Sequence, residues 1–352
     1  MKRIFEQINL GKLTINNRLV RSATMEFETT EDGNLTDKYI KLYEDLAKGG
    51  VGLIITGAMA INKDSQVKKD MINIYHDNFI DDFSRVTNIV HKYNGKIIPQ
   101  LAHGGLISIS ASSNMRLGPS AIIGGKEMSK EDIKKVIHDF STAAEKCKQA
   151  GADGIQIHAA HGFLLSQFLS PVFNKRQYKY GGSILNRSRI LFEIITAVKS
   201  TVGNDFAILI KLNYSDLIKN GLSLEDSKWI CKSLDKSGIS AIEISSGIIS
   251  DNTYLPAQTI PDKQSENYND KAASEISKLI STPIICVGGY RDFFIMENSL
   301  NKSNIQAFSL CRPLICEPDL PHKWRNNNSY KPKCISCNSC FKSSSLNCSI
   351  TI

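Results

Sequence analysis

Residues 148–155 read Lys-Gln-Ala-Gly-Ala-Asp-Gly-Ile, where a helical pattern ends at a glycine and an apolar run begins at once. Residues 236–243, Lys-Ser-Gly-Ile-Ser-Ala-Ile-Glu, repeat this arrangement. Short runs rich in isoleucine, valine and leucine recur along the chain, and each is followed by a helical pattern. We predict strands at Leu19–Ala23, Leu53–Ala58, Lys96–Leu101, Gly154–His158, Ala207–Asn213, Ala241–Ser245, Pro283–Val287 and Ile305–Leu310.

These runs are continuously apolar rather than alternating, which is typical of strands that are buried on both faces of a parallel sheet. A series of strand–helix units of this kind predicts an α/β fold, a (β/α)8 TIM barrel. A doubly wound sheet is the alternative, but its Gly-x-Gly-x-x-Gly loop follows none of the strands and a Walker-type loop is absent. Several helices should end at a glycine in the left-handed backbone conformation, with a positive φ. These are Gly49, Gly95, Gly151, Gly203 and Gly238.

The chain has 352 residues and a formal net charge of +8, and its basic residues are scattered. We therefore predict a small-molecule substrate rather than a nucleic-acid partner. The sequence lacks an apolar run of membrane-spanning length, and Met1–Leu10 lacks the apolar region of a signal peptide, so we expect a cytoplasmic protein without a membrane partner. Composition first changes near residue 326, which predicts a barrel over residues 1–325 and a cysteine-rich tail over residues 326–352. The sequence leaves open whether the protein forms a homo-oligomer.

In a barrel, the reacting groups lie at the carboxyl ends of the strands. Gln100 lies at the end of the third predicted strand and Lys211 in the fifth. Gly288 and Gly289 follow the seventh strand, and Arg312 follows the eighth. Because glycines let backbone N–H groups approach an anion and arginine offers a fork of donors, these last two strand ends predict a phosphate site. The alternative is a tight turn between strand and helix.

His158 and His161 come directly after the fourth strand. Two imidazoles could bind a metal, although a zinc site needs a third protein ligand that the nearby sequence does not offer. They could instead donate hydrogen bonds to one carbonyl oxygen. A third interpretation is that they are buried structural histidines. The residues themselves leave all three open.

Residues 157–171 read IHAAHGFLLSQFLSP, and they are followed by Asn-Lys-Arg at 174–176, Tyr-Gly-Gly-Ser at 180–183 and Asn-Arg at 186–187. This series resembles the Old Yellow Enzyme family, the FMN-dependent NADH:flavin oxidoreductases or ene-reductases. Matching segments run in order over essentially the whole chain. The resemblance implies a barrel that holds FMN at its mouth and an enzyme that reduces α,β-unsaturated carbonyl compounds with NADH or NADPH by a ping-pong hydride transfer.

The resemblance also implies roles for individual residues. The flavin ring would be lined at the first two strand ends by Ser22, Ala23, Thr24 and Ala58. Gln100 would bond the pyrimidine edge, and Lys211 would lie near N1 and O2, where positive charge stabilises the reduced, anionic flavin. FMN would also be held at the last two strand ends by Val287, Gly288, Gly289, Cys311 and Arg312. His158 and His161 match the pair that binds the substrate carbonyl.

Many relatives have a tyrosine two residues after the second histidine, which delivers a proton to the α-carbon. This chain has Phe163 there, and Phe27 occupies the place of a second active-site aromatic. Either water or another group protonates the product, or the protein prefers another electron acceptor. By location the candidate donors are Tyr178, Tyr180, Tyr214 and Tyr254.

The tail reads Cys334-x2-Cys337-x2-Cys340-x7-Cys348. Four thiolates at this spacing suit an iron–sulfur cluster or zinc, and unmetallated thiols are the third option. A similar group in chains resembling 2,4-dienoyl-CoA reductases and trimethylamine dehydrogenases binds a [4Fe–4S] cluster and passes electrons to a further domain. Since this sequence ends at Ile352, we expect an external electron-transfer partner if a cluster forms. Oxidative amine demethylation, or a redox carrier or sensor acting through the tail, are the alternative functions.

Overall fold

A computed structural model describes residues 1–26, 28–30, 34–109, 116–250, 253–254, 266–341 and 346–350. Eight parallel strands close into a barrel, in which each strand pairs with the next along the chain and the last pairs with the first. The strands are β1 Leu19–Arg21, β2 Leu53–Ala60, β3 Ile97–Ala102, β4 Gly154–Ala159, β5 Ala207–Asn213, β6 Ala241–Ser245, β7 Ile284–Val287 and β8 Ile305–Leu310. The predicted TIM barrel is therefore confirmed.

Helices follow the strands around the outside. They are α1 Asp37–Lys48, α2 Phe79–Lys92, α3 Lys130–Gln149, α4 Arg189–Val202, α5 Leu224–Leu234, α6 Asp270–Ser277, α7 Phe293–Lys302 and α8 Leu320–Asn326. Short helices also occur at Leu164–Leu169, Ile184–Arg187 and Arg312–Cys316. Ser129 and Ser223 begin α3 and α5 with reciprocal side-chain caps, which satisfy backbone N–H groups of the first turn. Within the described residues, none of the helices has the length and apolar character that crossing a bilayer requires.

The left-handed helix ends were predicted correctly at three of the five glycines. Gly151, Gly203 and Gly238 have φ of 80°, 80° and 69°. The prediction was wrong at Gly49, which has φ −70° because its N–H still bonds Asp45 O at 2.8 Å and the turn ends one residue later. It was also wrong after α2, where Asn94 rather than Gly95 has a positive φ, 57°.

The inside of the barrel has two parts of different polarity. Its lower part is an apolar cluster that an antiparallel hairpin, Ile8–Leu10 with Leu13–Ile15, covers from below. Toward the carboxyl ends of the same strands, the buried side chains become polar. We call this group the polar layer, and its members are Ser22, Gln100, Gln156, Lys211 and Glu243. A polar layer is costly to bury unless its groups are paired or meet a polar ligand.

The tail packs against the barrel. Buried Trp324 of α8 donates from Nε1 to Tyr330 O at 3.0 Å. Tyr330 Oη and the Lys333 N–H each donate to the Glu317 carboxylate at 2.6 Å. These bonds fix the start of the tail beside the end of β8. The division at residue 325 stays a prediction, because the two parts share this packing.

Candidate active site

The polar layer forms one connected hydrogen-bond network. Gln100 Nε2 donates to Gln156 Oε1 at 2.6 Å, and Gln156 Nε2 donates to Glu243 Oε2 at 2.9 Å. Ser22 Oγ donates to Glu243 Oε1 at 2.7 Å and accepts from Lys211 Nζ at 2.8 Å. Lys211 Nζ also lies 3.4 Å from Glu243 Oε2. The structure thus joins Ser22, Gln100 and Lys211, which the family resemblance assigns to the flavin.

Gln156 and Glu243 were not predicted as site residues. Burial alone would raise the pKa of the Glu243 carboxyl, but the charge of Lys211 and the hydrogen bonds from Ser22 and Gln156 bring that pKa below its usual value. Glu243 is therefore ionised although its exposed fraction is 0%. The layer holds one cation and one anion.

The end of β1 contributes a second buried polar group. Arg21 donates from Nη1 to Ser22 O at 2.6 Å and to Thr24 Oγ1. Thr24 Oγ1 lies 3.0 Å from Cys311 Sγ, which brings two residues of the predicted flavin site together. The Glu26 carboxylate accepts from Tyr43 Oη at 2.8 Å, and burial raises the pKa of Glu26 to about 7 against the opposing charge of Arg21.

The first two strand ends are in close backbone contact. The pairing of β2 with β3 shifts register between Ile55 and Ala58, so Gly57 lies in an irregular segment. A Cβ on Gly57 would overlap the Thr24 carbonyl and the Glu26 carboxylate. Ala58, a predicted flavin contact, is buried directly after this glycine, and half-buried Ala23 precedes Thr24 on the other strand. A glycine at position 57 therefore lets the two strand ends meet at the barrel mouth.

The two histidines lie side by side after β4. Their ring centroids are 5.3 Å apart at an interplanar angle of 78°, and the Phe163 ring lies 4.4 Å from the His158 ring. His161 Nε2 is 2.7 Å from Ser245 Oγ at the end of β6. His158 is buried, and its Nδ1 has no hydrogen-bond partner among the residues that the structure describes. A buried ring nitrogen of this kind needs a partner, which a bound ligand can supply.

Both imidazoles are neutral. Burial lowers the pKa of His158 well below its usual value, helped by the neighbouring His161 and Lys211. Burial and the charge of Lys211 lower the pKa of His161 to about 3. A neutral imidazole has one N–H and one acceptor nitrogen, and the hydrogen bonds of each ring indicate which nitrogen carries the hydrogen. If Ser245 donates to His161 Nε2, then His161 Nδ1 carries the proton and can donate to a ligand.

The turn after β4 is constrained. His161 has φ 60°, a conformation that is uncommon outside glycine, and Gly162 follows with φ 78°. Asn213 of β5 accepts from the His161 N–H at 3.4 Å and donates to Gly247 O at 2.7 Å. The turn is thereby tied to the ends of β5 and β6, which orients the imidazole of His161.

The predicted phosphate residues lie at the ends of the adjacent strands β7 and β8. Asn269 donates from Nδ2 to Val287 O at 2.6 Å, and a Cβ on Gly288 would lie 3.1 Å from Asn269. Gly289 has φ 75°. Arg312 donates from Nη1 to Asn338 Oδ1 at 2.7 Å and to Ser336 O at 3.3 Å, so its guanidinium also binds the tail. Sequence reasoning did not foresee this second role.

The tail cysteines approach thiols that the motif does not include. Burial and a hydrogen bond with Cys348 raise the pKa of Cys316 to about 12. Burial, followed by the nearby Cys311, Cys334 and Cys348, raises the pKa of Cys340 to about 12. Among the described residues, His, Cys, Asp and Glu side chains do not form a group of three or more that could hold a metal. Neither the histidine pair nor the tail is thus part of such a group in the described structure, and metal binding by Cys334, Cys337, Cys340 and Cys348 stays a prediction.

The candidate proton donors differ in their placement. Tyr178 is exposed and donates to Glu127, and Tyr180 donates to Glu193 at 2.8 Å, so both hydroxyls are engaged by carboxylates. Tyr214 is half-buried beside the site, and its N–H donates to Ser245 O at 2.8 Å. Phe27 and the side chain of Tyr254 lie outside the described residues. Of the described candidates, Tyr214 is thus the one whose backbone lies at the strand end beside the histidine pair.

A family model described as the NADH:flavin oxidoreductase / NADH oxidase family matches residues 3–330. The chain is 30% identical to an NADH oxidase of Thermoanaerobacter brockii over 345 residues, which is 95% of this chain and 52% of that protein. It is 32% identical to an NADPH dehydrogenase of Bacillus subtilis over 324 residues, covering 90% of this chain and 92% of the relative. The chain therefore spans about half the length of the first of these relatives and nearly all of the second.

Among solved structures, a 2-naphthoyl-CoA reductase with bound 2-naphthoyl-CoA has a TM-score of 0.91 at 24% identity, over 99% of this chain and 56% of that one. At this identity the likeness bears on the fold, and it extends to the segment that carries the tail cysteines.

Proposed function

The chain belongs to the NADH:flavin oxidoreductase / NADH oxidase family, which includes the Old Yellow Enzymes, and on this basis we propose that it reduces an α,β-unsaturated carbonyl compound with NADH or NADPH. FMN would supply the hydride chemistry, accepting a hydride from reduced nicotinamide and passing it to the β-carbon of the acceptor. The single observation that carries the choice of acceptor is the unpartnered, buried Nδ1 of His158 beside the neutral ring of His161.

The donors of the site fit the flavin. The polar layer presents the Lys211 ammonium and the Gln100 amide below the barrel mouth, which suits the oxygen and nitrogen edge of a flavin ring. Gly288, Gly289 and Arg312 would hold the phosphate, with Val287 and Cys311 flanking them. Ser22, Ala23, Thr24 and Ala58 would line the ring.

His158 and His161 would each donate one hydrogen bond to the carbonyl oxygen of the substrate. Polarising this oxygen makes the β-carbon more electrophilic and stabilises the negative charge that develops on the oxygen during hydride transfer. Because both rings are neutral well above their lowered pKa values, this binding needs no protonation step near neutral pH. The α-carbon then takes a proton from water or from Tyr214.

The test uses FMN-loaded protein without oxygen. NADH or NADPH should bleach the visible flavin absorbance, and 2-cyclohexenone should restore it after the oxidised nicotinamide has been removed, as a ping-pong scheme requires. Protein that does not bind FMN, or reduced protein that the enone leaves bleached, would contradict the proposal. Bleaching by trimethylamine in place of the nicotinamide would favour amine oxidation instead.

Phe163→Tyr tests proton delivery. Phe163 is buried against the His158 ring, and a tyrosine there would place a hydroxyl where many relatives have one. General acids contribute about 10²-fold or more when they are well placed, and we expect a gain of about tenfold here because the site has not been shaped around the hydroxyl. The readout is the rate at which 2-cyclohexenone reoxidises reduced FMN. An unchanged rate would mean that the proton arrives by another route, and Tyr214→Phe should then slow the reaction.

We also propose that Cys334, Cys337, Cys340 and Cys348 bind a metal centre, an iron–sulfur cluster in preference to zinc. Their close spacing in the sequence and the electrostatic interactions among Cys334, Cys340 and Cys348 support this. The described side chains would have to move to form a ligand set. Protein purified without oxygen should contain about four irons per chain. Stoichiometric zinc would select the other metal, and the absence of both would contradict the proposal. The proposed enone reduction does not depend on this centre.

A further inference from the structure

Glu243 places a negative charge beside Lys211, the residue whose positive charge the family resemblance assigns to the flavin. It is on β6, directly opposite Lys211 on β5 in the strand register. Its carboxylate accepts from Ser22 and Gln156, and the Lys211 ammonium lies 3.4 Å away. Lys211 has an exposed fraction of 3% and Glu243 of 0%, so solvent screens these two charges much less than charges at the surface.

The charge of Lys211 is therefore balanced inside the barrel. Ser22 connects the two groups by accepting from Lys211 and donating to Glu243, so the carboxylate also fixes the position of the ammonium. A buried carboxylate held by hydrogen bonds and a cation stays ionised, and the lowered pKa of Glu243 agrees with this. The network contributes no net charge to a ligand above it.

We propose that Glu243 is a positioning residue that holds the Lys211 ammonium and cancels its charge, and thereby weakens the preference of the site for reduced FMN over oxidised FMN. The inference rests on the proposed function, because it requires FMN above the polar layer. Hydride transfer to FMN adds one negative charge to the ring, and this charge is repelled by a nearby anion and attracted by a nearby cation. Glu243 consequently sets how readily the flavin gives its electrons to an acceptor.

Glu243→Gln keeps the shape of the side chain and removes its charge. We expect the ratio of the dissociation constants of oxidised and reduced FMN to shift at least about tenfold in favour of reduced FMN, which is about 30 mV more positive for a two-electron couple. The midpoint potential of the FMN-loaded protein, measured by equilibration with a reference dye, gives this ratio without any turnover. A shift of less than about twofold, or a shift to a more negative potential, would overturn the inference.

Gln156→Met is the matched control. It removes two neutral hydrogen bonds, the one that Gln156 donates to this carboxylate and the one that Gln156 accepts from Gln100, and it leaves both charges in place. If Glu243 acts through charge, this variant should stay within about twofold of the unaltered protein. A shift in Gln156→Met as large as that in Glu243→Gln would show that loosening the network, rather than removing the charge, moves the potential, and would overturn the inference.

Removing one partner of a buried ion pair is strongly destabilising, whereas replacing both is often tolerated. Should Glu243→Gln fail to fold, the double variant Lys211→Met/Glu243→Gln gives the same information. If the two charges cancel, the double variant should keep the ratio of the dissociation constants of oxidised and reduced FMN within about threefold of that of the unaltered protein. A loss of tenfold or more in the preference for reduced FMN would mean that Lys211 acts uncompensated and would overturn the inference. Failure of the unaltered protein to bind FMN would contradict the proposed function itself. If the unaltered protein binds FMN but the Glu243 variant has the same midpoint potential, only this inference is contradicted.

Discussion

Replacing His158 and His161 together by alanine is expected to slow the reduction of 2-cyclohexenone about 10²–10³-fold. The loss of one well-placed donor to a developing oxyanion has a cost of this order, and the second histidine should add little once the oxygen has lost its binding site. The readout is the rate at which the enone reoxidises FMN that has been reduced with dithionite, so that nicotinamide binding plays no part. FMN content should be unchanged, because the proposed flavin contacts lie in the polar layer and at the other strand ends.

The matched control replaces both histidines by asparagine. Asparagine keeps an N–H donor near each position, so this variant should lose about tenfold rather than 10²-fold or more. If the two double variants lose activity equally, the imidazole rings do more than donate hydrogen bonds. If the alanine variant stays within about threefold of the unaltered protein, the pair does not bind the carbonyl, and His158 and His161 are buried structural residues.

The barrel could be predicted because each of its strands is a continuous apolar run in the sequence, and these runs alternate with helical patterns. The predicted Ala207–Asn213, Ala241–Ser245 and Ile305–Leu310 coincide with β5, β6 and β8, and the other predicted strands overlap the observed ones with small shifts at their ends. The hairpin Ile8–Leu10 with Leu13–Ile15 was missed, because three-residue strands are too short to show a period. Its role in covering the apolar end of the barrel depends on contacts with distant strands.

The polar layer shows what could have been predicted from the sequence and what could not. Gln156 and Glu243 each interrupt an apolar run, and a polar residue inside a buried strand is a signal that its hydrogen-bond partners lie elsewhere in the fold. The partners themselves depend on strand register. Glu243 meets Lys211 because β5 and β6 are neighbours in the barrel, and it meets Ser22 because the barrel is closed.

Arg312 shows a different limit. Its position after β8 predicts a donor at the barrel mouth, but the sequence does not show that the tail folds back so that Asn338 accepts from the same guanidinium. Cys316 is similar: it stands outside the cysteine motif, yet it reaches Cys348 through the packing of the tail. Contacts between a terminal segment and a strand end are decided by the path of the chain, which local patterns do not encode.

Lowering the pH from 7 to 5 is expected to reduce the free energy of unfolding by about 4 kcal/mol. Burial lowers the pKa of His103 to about 4, that of His161 to about 3 and that of His158 well below its usual value. Such groups bind protons in the unfolded chain near pH 6.5 but not in the folded one, so stability falls as the pH drops below about 6.5 toward the folded pKa. Each histidine contributes about 2 kcal/mol of loss over this interval.

Glu26 acts in the opposite direction. Its folded pKa of about 7 lies above that of an unfolded glutamate, so the folded protein takes up the proton first and gains about 2 kcal/mol between pH 7 and pH 5. The two kinds of group can be separated by urea unfolding at both pH values. His103→Asn, whose amide oxygen can replace Nδ1 as acceptor for the Gly105 N–H, should make the acid loss about 2 kcal/mol smaller. Glu26→Gln should make it about 2 kcal/mol larger, and an acid loss that neither substitution changes would mean that other groups govern acid stability.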